Sequence, residues 1–399
     1  MCGFIFIINE KKYNNKLISI SKSKKNNHRG PDNIKVLVEK NFSTLFRRLK
    51  IIDLSNKSNQ PIKSEDKRYT MVFNGEIYNY LQLKKELQKK NYKFNYFGDA
   101  EVLLKSYLCW GDNFVNKLNG MFAICIWDNN KKKLKVFRDK FGQKPIYYYK
   151  TQKGIIISSE IKDFKNFLNL KENIRASRRY IFKSFLDNNN ETFFKNIYRL
   201  KPSSKLIFEN NKIKVTKYWN LKFIEKNNFN KKVFLKKFLD NLRIHMNSDV
   251  KIAAELSGGL DSSSLVAGMK KLKINFKSFS INPKNTPDEK IFINDFLKKL
   301  KINHEYIKTK KKILNKDFQE VLNYQDEPFQ SVSDCHQFFL KKEIRKRGFK
   351  VLLTGDGGDE VLGGYNRMMI MYLINLINLK KKKLFKKILK INKISNEKF

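Results

Sequence analysis

Near Asp249 the hydrophobic pattern of the chain changes its rhythm, and that change limits the architectures open to it more than any other feature. From Cys2 to about Phe167 the pattern is short strands separated by turn signals: Gly3–Ile8, Tyr69–Phe73, Met121–Trp127, Leu134–Phe137, Ile146–Tyr149 and Ile155–Ser158. One helix, near Tyr78–Lys90, interrupts them, so an antiparallel α+β domain with helices over its sheets is expected. From Asp249 onward strand and helix alternate. A strand at Val250–Leu256 is followed by a helix with Leu265, Val266, Met269 and Leu272 on one face, then a strand at Phe276–Ile281. A second helix places Ile293, Phe296, Leu297 and Leu300 on one stripe, and another apolar run follows at Val351–Thr354. This alternation implies a parallel, doubly wound α/β sheet. The expected domains are therefore residues 2–167, a connecting region at 168–248 packed on the second domain, and 249–399.

The 399 residues are enough for two cores, and 33 Phe with 17 Tyr exclude a disordered chain. The formal charge of +46 raises a polyanion partner. The lysines are dispersed over the whole length among abundant Asn, Ile and Phe, which fits compositional drift of an A+T-rich coding sequence, so no nucleic-acid partner is expected. Four cysteines without paired spacing suit a reducing cytoplasm. The start, MCGFIFIINEKK, lacks a signal-peptide charge pattern, and the apolar run Met368–Leu379 falls short of the roughly 20 residues that span a bilayer, so no membrane association is expected.

Two constellations carry chemistry. Loss of Met1 would give Cys2 a thiol and a free α-amine, which titrates near about 8 and can serve as the thiol's own base. A cysteine at this position alone is equally compatible with a small apolar residue opening a strand. Asn74-Gly75-Glu76 follows the expected strand ending at Phe73, where a side-chain amide and a backbone N–H can form an oxyanion hole. Arg48 can grip a carboxylate with its fork, and Glu76 and Asp99 can pair with an ammonium; as isolated residues the three would read equally well as surface ion pairs. The second constellation is SGGLDSS (257–263) between a strand and a helix, an anion site built from backbone N–H groups and the hydroxyls of Ser257, Ser262 and Ser263. It lacks the Gly-Lys-Ser/Thr ending of a Walker A loop. In GDGGDEVLGGY (355–365), Asp356, Asp359 and Glu360 sit beside glycines, and carboxylates near a phosphate loop make electrostatic sense if magnesium intervenes.

MCGF, HRGPD (28–32), RRLKIIDLS (47–55), QPI (60–62), NGEIYNY (74–80), GDAEVLL (98–104), LNGMFAICIWD (118–128), RDKFGQKPIYY (138–148) and SSEIK (158–162) together resemble the class II glutamine amidotransferase domain of the asparagine synthetases. SGGLDSS and GDGGDEVLGGY, with Asp288-Glu289 and Asp326-Glu327-Pro328, resemble the PP-loop synthetase domain of the same family. The resemblance implies an N-terminal-nucleophile hydrolase domain with two antiparallel sheets between helices, followed by an ATP pyrophosphatase domain. It implies that Cys2 is the nucleophile, that Asn74 and Gly75 stabilise the oxyanion, and that Arg48, Asn74, Glu76 and Asp99 hold glutamine. It further implies that Leu256, Ser257, Gly258, Gly259, Asp261, Ser262, Ser263 and Gly355 hold ATP and pyrophosphate, with Asp261 and Asp359 as ligands of Mg2+.

The activity so implied takes glutamine, ATP and aspartate, or another carboxylate such as a sugar acid, to an amide, AMP, pyrophosphate and glutamate; a homodimer is compatible with it. Asp356 stands where family members carry Glu, which leaves its catalytic role in handling ammonia open. The resemblance covers about residues 2 to 367, and the later lysine that family members use has no counterpart before Phe399. The synthetase domain is therefore expected to be incomplete at its C-terminus.

Overall fold

The computed structural model describes residues 1–23, 28–186, 188–222, 229–281, 287–308, 315–329 and 331–378, with side chains from 290 onward in the helix that opens at Pro287. It divides into two compact units, Met1–Lys251 with Thr309–Val351, and Ile252–Lys308 with the chain from Leu352. In chain order the strands are β1 (Gly3–Ile8), β2 (Asn33–Val38), β3 (Phe42–Arg48), β4 (Ile62–Lys63), β5 (Tyr69–Ile77), β6 (Gly120–Asp128), β7 (Lys133–Arg138) and β8 (Tyr147–Lys150). They continue with β9 (Ile155–Ser158), β10 (Ile197–Arg199), β11 (Ser204–Glu209), β12 (Lys212–Lys217), β13 (Ile252–Glu255), β14 (Phe276–Ile281), β15 (His304–Ile307) and β16 (Val351–Leu353).

The first unit holds two antiparallel sheets of six strands, in the orders β10-β8-β9-β1-β3-β2 and β12-β11-β7-β6-β5-β4. Strand alternation explains how they stack. Phe4, Phe6 and Ile8 share one core with Phe42 and Phe46 of their own sheet and with Val72, Cys125, Trp127 and Val136 of the other. Ile5 and Ile7, pointing the opposite way, pack with Leu17 and Ile20 of the helix Asn14–Lys22. Met71, Phe73, Ile124 and Ile126 on the outer face of the second sheet meet Leu83, Leu87, Val102 and Leu103 from the helices Tyr80–Gln88 and Asp99–Trp110. The unit is thus helix, sheet, sheet, helix, the expected arrangement, and each fully buried Phe or Ile contributes roughly 1.5–3 kcal/mol.

Three features differ from expectation. The helix Asp99–Trp110 was not foreseen, because its first nine residues are all buried and no polar stripe marks it. β5 does not stop at Phe73 but runs through Asn74, Gly75 and Glu76, which pair with Ala123, Phe122 and Met121 of β6. The stretch read as a connecting region lends strands to the first unit: β10 pairs with β8, and β11 pairs with β7 and β12.

The second unit carries a four-stranded sheet in the order β15-β14-β13-β16, with parallel pairing of β13 to β14 and of β14 to β15. Among the described residues no helix is long and apolar enough to cross a membrane.

One turn of the first unit is unusually well tied. Between β7 and β8, the buried Asp139 carboxylate accepts from the N–H groups of Phe122, Phe141, Gln143 and Lys144 at 2.9–3.2 Å. Asp139→Ala strands those donors, each at a cost of about 1–3 kcal/mol where water cannot reach. The substitution is expected to lower the thermal midpoint of the transition that melts this unit by about 5 °C or more; an unchanged midpoint in calorimetry would contradict this role for the turn.

Candidate active site

The position of Cys2 follows from β1, which begins at the next residue and is paired on both edges, with β3 and β9. The thiol meets the backbone just beyond β3: the Leu49 N–H donates to Sγ at 3.3 Å, and the Leu49 carbonyl lies 3.6 Å from it. Arg29 donates to the Cys2 carbonyl at 3.2 Å and pairs with Glu160 at 2.7 Å. Burial works to raise Glu160, but hydrogen bonding to His28 and the charge of Arg29 hold it down to about 2, so this anchor stays ionised.

Cys2, Arg48, Asn74, Gly75, Glu76 and Asp99 line one cavity of about 60 Å³, together with Met1, Gln60 and Lys144. At roughly 10–15 Å³ for each water position, this is a slot for a small side chain rather than for a nucleotide. Gly75 is needed for close approach, since a Cβ there would lie 2.0 Å from the Met121 carbonyl oxygen. The neighbouring Asn74 is buried and its side-chain Nδ2 has no hydrogen-bond partner among the described residues. A donor held this way offers an approaching oxyanion a bond that needs no reorganisation.

Charge in the slot is tuned by desolvation. Burial, reinforced by Asp99, pushes Glu76 up to about 7. Burial pushes Asp99 up to about 6, against the Ile77 N–H that donates to it at 3.1 Å. The Cys2 thiol is likewise raised by burial, with the Leu49 N–H opposing. Burial also drives the terminal amine of Met1 down to about 5.

Arg48 lines the slot, yet its guanidinium donates to the carbonyls of Ser55, Ile52 and Asp53 and to the Asn59 side chain. Those bonds hold the loop that follows β3, a use of the fork that the sequence did not suggest. Lys144 was also not singled out, although it lies within RDKFGQKPIYY; in a chain with 84 Lys and Arg, one more lysine carries no signal of its own. Asp326-Glu327 was read with the second domain, but in the structure it caps and pairs within the first unit. Asp326 accepts from the N–H groups of Ile161 and Lys162, and Glu327 pairs with Arg199.

In the second unit, Gly259 caps the helix Leu260–Lys271, and Gly258 takes a left-handed φ of 85°. Ser262 accepts from the Ser257 N–H at 3.1 Å and lies 3.0 Å from the Ser257 hydroxyl, while the Ser263 N–H donates to the Gly259 carbonyl. Leu256 leads into this loop fully buried. GDGGDE follows β16 and packs on the loop. A Cβ at Gly358 would lie 2.3 Å from Asp261 Oδ2, and one at Gly355 would lie 3.0 Å from the Ser262 nitrogen. Asp356 accepts from the Thr354 hydroxyl at 2.8 Å, and the Asp359 carboxylate lies against Gly364.

Among the described residues no group of three or more His, Cys, Asp or Glu side chains is placed to hold a metal. Magnesium bound through phosphates needs only one or two carboxylates, and a loop that leaves no room for a Cβ beside Asp261 fits that use. The side chains of Asp288 and Glu289 lie outside the described residues.

Two family models match the chain, a glutamine amidotransferase domain over residues 1–219 and an asparagine synthase domain over residues 234–391. A Methanocaldococcus jannaschii protein provisionally named asparagine synthetase (glutamine-hydrolyzing) 2 is 35% identical over 94% of this chain and 78% of its own length. Asparagine synthetase (glutamine-hydrolyzing) 1 of Bacillus subtilis is 32% identical over 92% of this chain and 59% of its own. A Gibberella zeae protein named Amidase chry2 is 29% identical over 80% of this chain and 50% of its own. The chain thus spans between half and about four fifths of the length of these relatives.

The raised carboxylate in the slot has a consequence for stability. Because folding lifts Glu76 from its ordinary 4.5 to about 7, the folded state binds that proton more tightly than the unfolded chain. The stability this contributes is full below 4.5 and is lost as pH rises through about 7. Glu76→Gln removes the ionisable group, so its thermal midpoint is expected to exceed that of the parent at pH 8 and to converge on it near pH 4.5. A constant difference at both pH values, or a lower midpoint at pH 8, would contradict the desolvated state of Glu76.

Proposed function

The chain belongs to the family of the glutamine-hydrolysing asparagine synthetases, and from that premise we propose that it hydrolyses glutamine at Cys2 and uses ATP to convert the side-chain carboxylate of aspartate to the amide. The observation that carries this reading is one slot holding the Cys2 thiol, a buried side-chain amide donor with no partner among the described residues, and two carboxylates.

In the proposed mechanism Met1 is removed, and the exposed α-amine of Cys2 accepts the thiol proton. The thiolate attacks the glutamine carboxamide carbon, while the Asn74 amide and the Gly75 N–H stabilise the oxyanion. Glu76 and Asp99, once ionised, hold the substrate ammonium, and Arg48 lies on the same wall of the slot. The carbon–nitrogen bond breaks with proton return to the leaving nitrogen; ammonia departs and water hydrolyses the thioester to glutamate.

In the second unit the acceptor carboxylate attacks the α-phosphorus of ATP and pyrophosphate leaves. Ammonia then displaces AMP from the acyl carbon. The loop from Leu256 to Ser263, with Gly355, binds the phosphates through N–H and hydroxyl donors at a helix N-terminus. Bound magnesium would offset phosphate charge, held by Asp261 and Asp359. Asp356, whose carboxylate accepts from the Thr354 hydroxyl, is the residue proposed to accept a proton from the incoming nitrogen.

A second reading, with a different carboxylate such as a sugar acid as acceptor, is favoured by two observations. Asp356 is one methylene shorter than the family's Glu, and one relative is named an amidase rather than a synthetase. Assays with glutamine, ATP and a panel of carboxylates, following AMP and amide, decide between the two; AMP formed with a sugar acid and not with aspartate overturns the first.

Two substitutions separate the half-reactions. Cys2→Ala is expected to lower glutamine hydrolysis by at least about 10⁴-fold and to leave ammonia-dependent amide synthesis intact. Asp261→Ala is expected to abolish AMP formation and spare glutamate release. Glutaminase activity surviving in Cys2→Ala contradicts the nucleophile, and AMP made at the parent rate by Asp261→Ala contradicts the phosphate site.

A further inference from the structure

Lys144 closes the turn that Asp139 ties down, and its backbone is fixed at both ends. The Lys144 N–H donates to Asp139 at 3.0 Å, and its carbonyl accepts from Arg138 Nε at 2.9 Å. Arg138 also donates to the carbonyls of Gly142 and Leu200, and Gly142 turns the chain with a left-handed φ of 71°. A residue anchored this firmly has its side chain aimed by the scaffold rather than by chance.

That side chain is 6% exposed and lines the slot with Cys2, Glu76 and Met1. Buried ammonium groups are ordinarily paired with a carboxylate. Among the described residues Lys144 forms no such pair; the acceptor at its Nζ is the Met1 thioether sulfur at 3.5 Å, a weak one. Removal of Met1 takes that acceptor away and leaves a desolvated cation facing the space where substrate binds.

The charged groups around it come from four elements. Glu76 lies on β5, Cys2 and the chain-terminal amine precede β1, Asp139 follows β7, and Arg29 stands on the loop before β2. Asp139 is engaged by its four N–H donors, and Arg29 by Glu160 and the Cys2 carbonyl. Glu76 has Asp99 as its negative neighbour, with Lys144 as the first of the positive charges that oppose it.

We infer that Lys144 is a positioning residue of the glutamine site, whose buried ammonium, freed from Met1, holds the Glu76 carboxylate and the attacking Cys2 sulfur in their anionic forms. The inference rests on the reading of this slot as a glutaminase. One cation thereby favours the charge state needed for binding the substrate ammonium and the one needed for attack, in the same range of pH. The two groups respond with one sign: Lys144 lowers Glu76 and the Cys2 thiol alike, so its loss raises both.

The test compares the full-length parent with Lys144→Gln and Lys144→Arg, and uses Lys144→Met as a second neutral variant should the Gln form fail to fold. Two profiles are measured between pH 5.5 and pH 9: kcat/KM for glutamine hydrolysis, and the rate at which iodoacetamide alkylates Cys2, read on the N-terminal peptide by mass spectrometry. The neutral variant is expected to move the acid limb of both profiles upward by about one pH unit, with recovery at the alkaline end, and Lys144→Arg to restore the parent limb. A loss by the same factor at every pH, or an alkylation limb that stays in place, overturns the inference. Absence of glutamine hydrolysis in the parent would instead remove the glutaminase reading, which the alkylation profile does not depend on.

Discussion

The ladder that clamps Gly3–Ile8 between Phe42–Arg48 and Ile155–Ser158 is the constraint from which the first site follows. A strand paired on both edges and buried on both faces cannot slip by one residue without moving Phe4, Phe6 and Ile8 out of one core and into another. Register is therefore fixed by packing, and the residue before the strand is fixed with it. In the proposed mechanism this placement holds Cys2 once Met1 is removed and its backbone nitrogen has become an amine. The same sheet delivers Leu49, whose N–H meets the sulfur.

Around that sulfur the fold accepts a local loss of stability. Glu76, Asp99, Lys144 and the terminal amine are all displaced from their ordinary titration by desolvation, and the Asn74 side-chain Nδ2 has no partner among the described residues. In water each of these groups would be solvated and indifferent to a ligand. Held dry, they suit the proposed guest, which brings an ammonium and an oxyanion. The surrounding structure offsets this with saturated anchors, Asp139 with its four N–H donors and Glu160 with His28 and Arg29.

Much of this was legible in the sequence, because the candidate residues sit in short motifs at the start of β1, within β5 and at the start of the helix Asp99–Trp110. Cys2, Asn74, Gly75, Glu76 and Asp99 were named from their motifs and are brought to one cavity. The parallel sheet of the second unit followed from alternation of strand and helix, although β15 went unread. What escaped is long-range or hidden by composition. The helix Asp99–Trp110 is buried all round and shows no amphipathic stripe. β10 and β11 find partners on β8 and β7, from Ile197 with Tyr149 to Phe208 with Leu134, separations that no local pattern encodes. Arg48 looked free to clamp a carboxylate because nothing in the sequence says that the next loop folds back onto its guanidinium. Lys144 is one cation among many until the turn that aims it is seen.

In the second unit the contact that brings the two motifs together is steric: glycine at 355 and 358 lets GDGGDE close on Asp261 and Ser262. Yet the account stands or falls on the thiol at the chain start. The most direct measurement is intact-mass and peptide mapping after exposure to an electrophilic diazoketone analogue of glutamine. The account predicts a single adduct, blocked by glutamine, on a Cys2 that has become the N-terminal residue. Adduct on Cys109, Cys125 or Cys335, or labelling at full rate on chains that retain Met1, would contradict it.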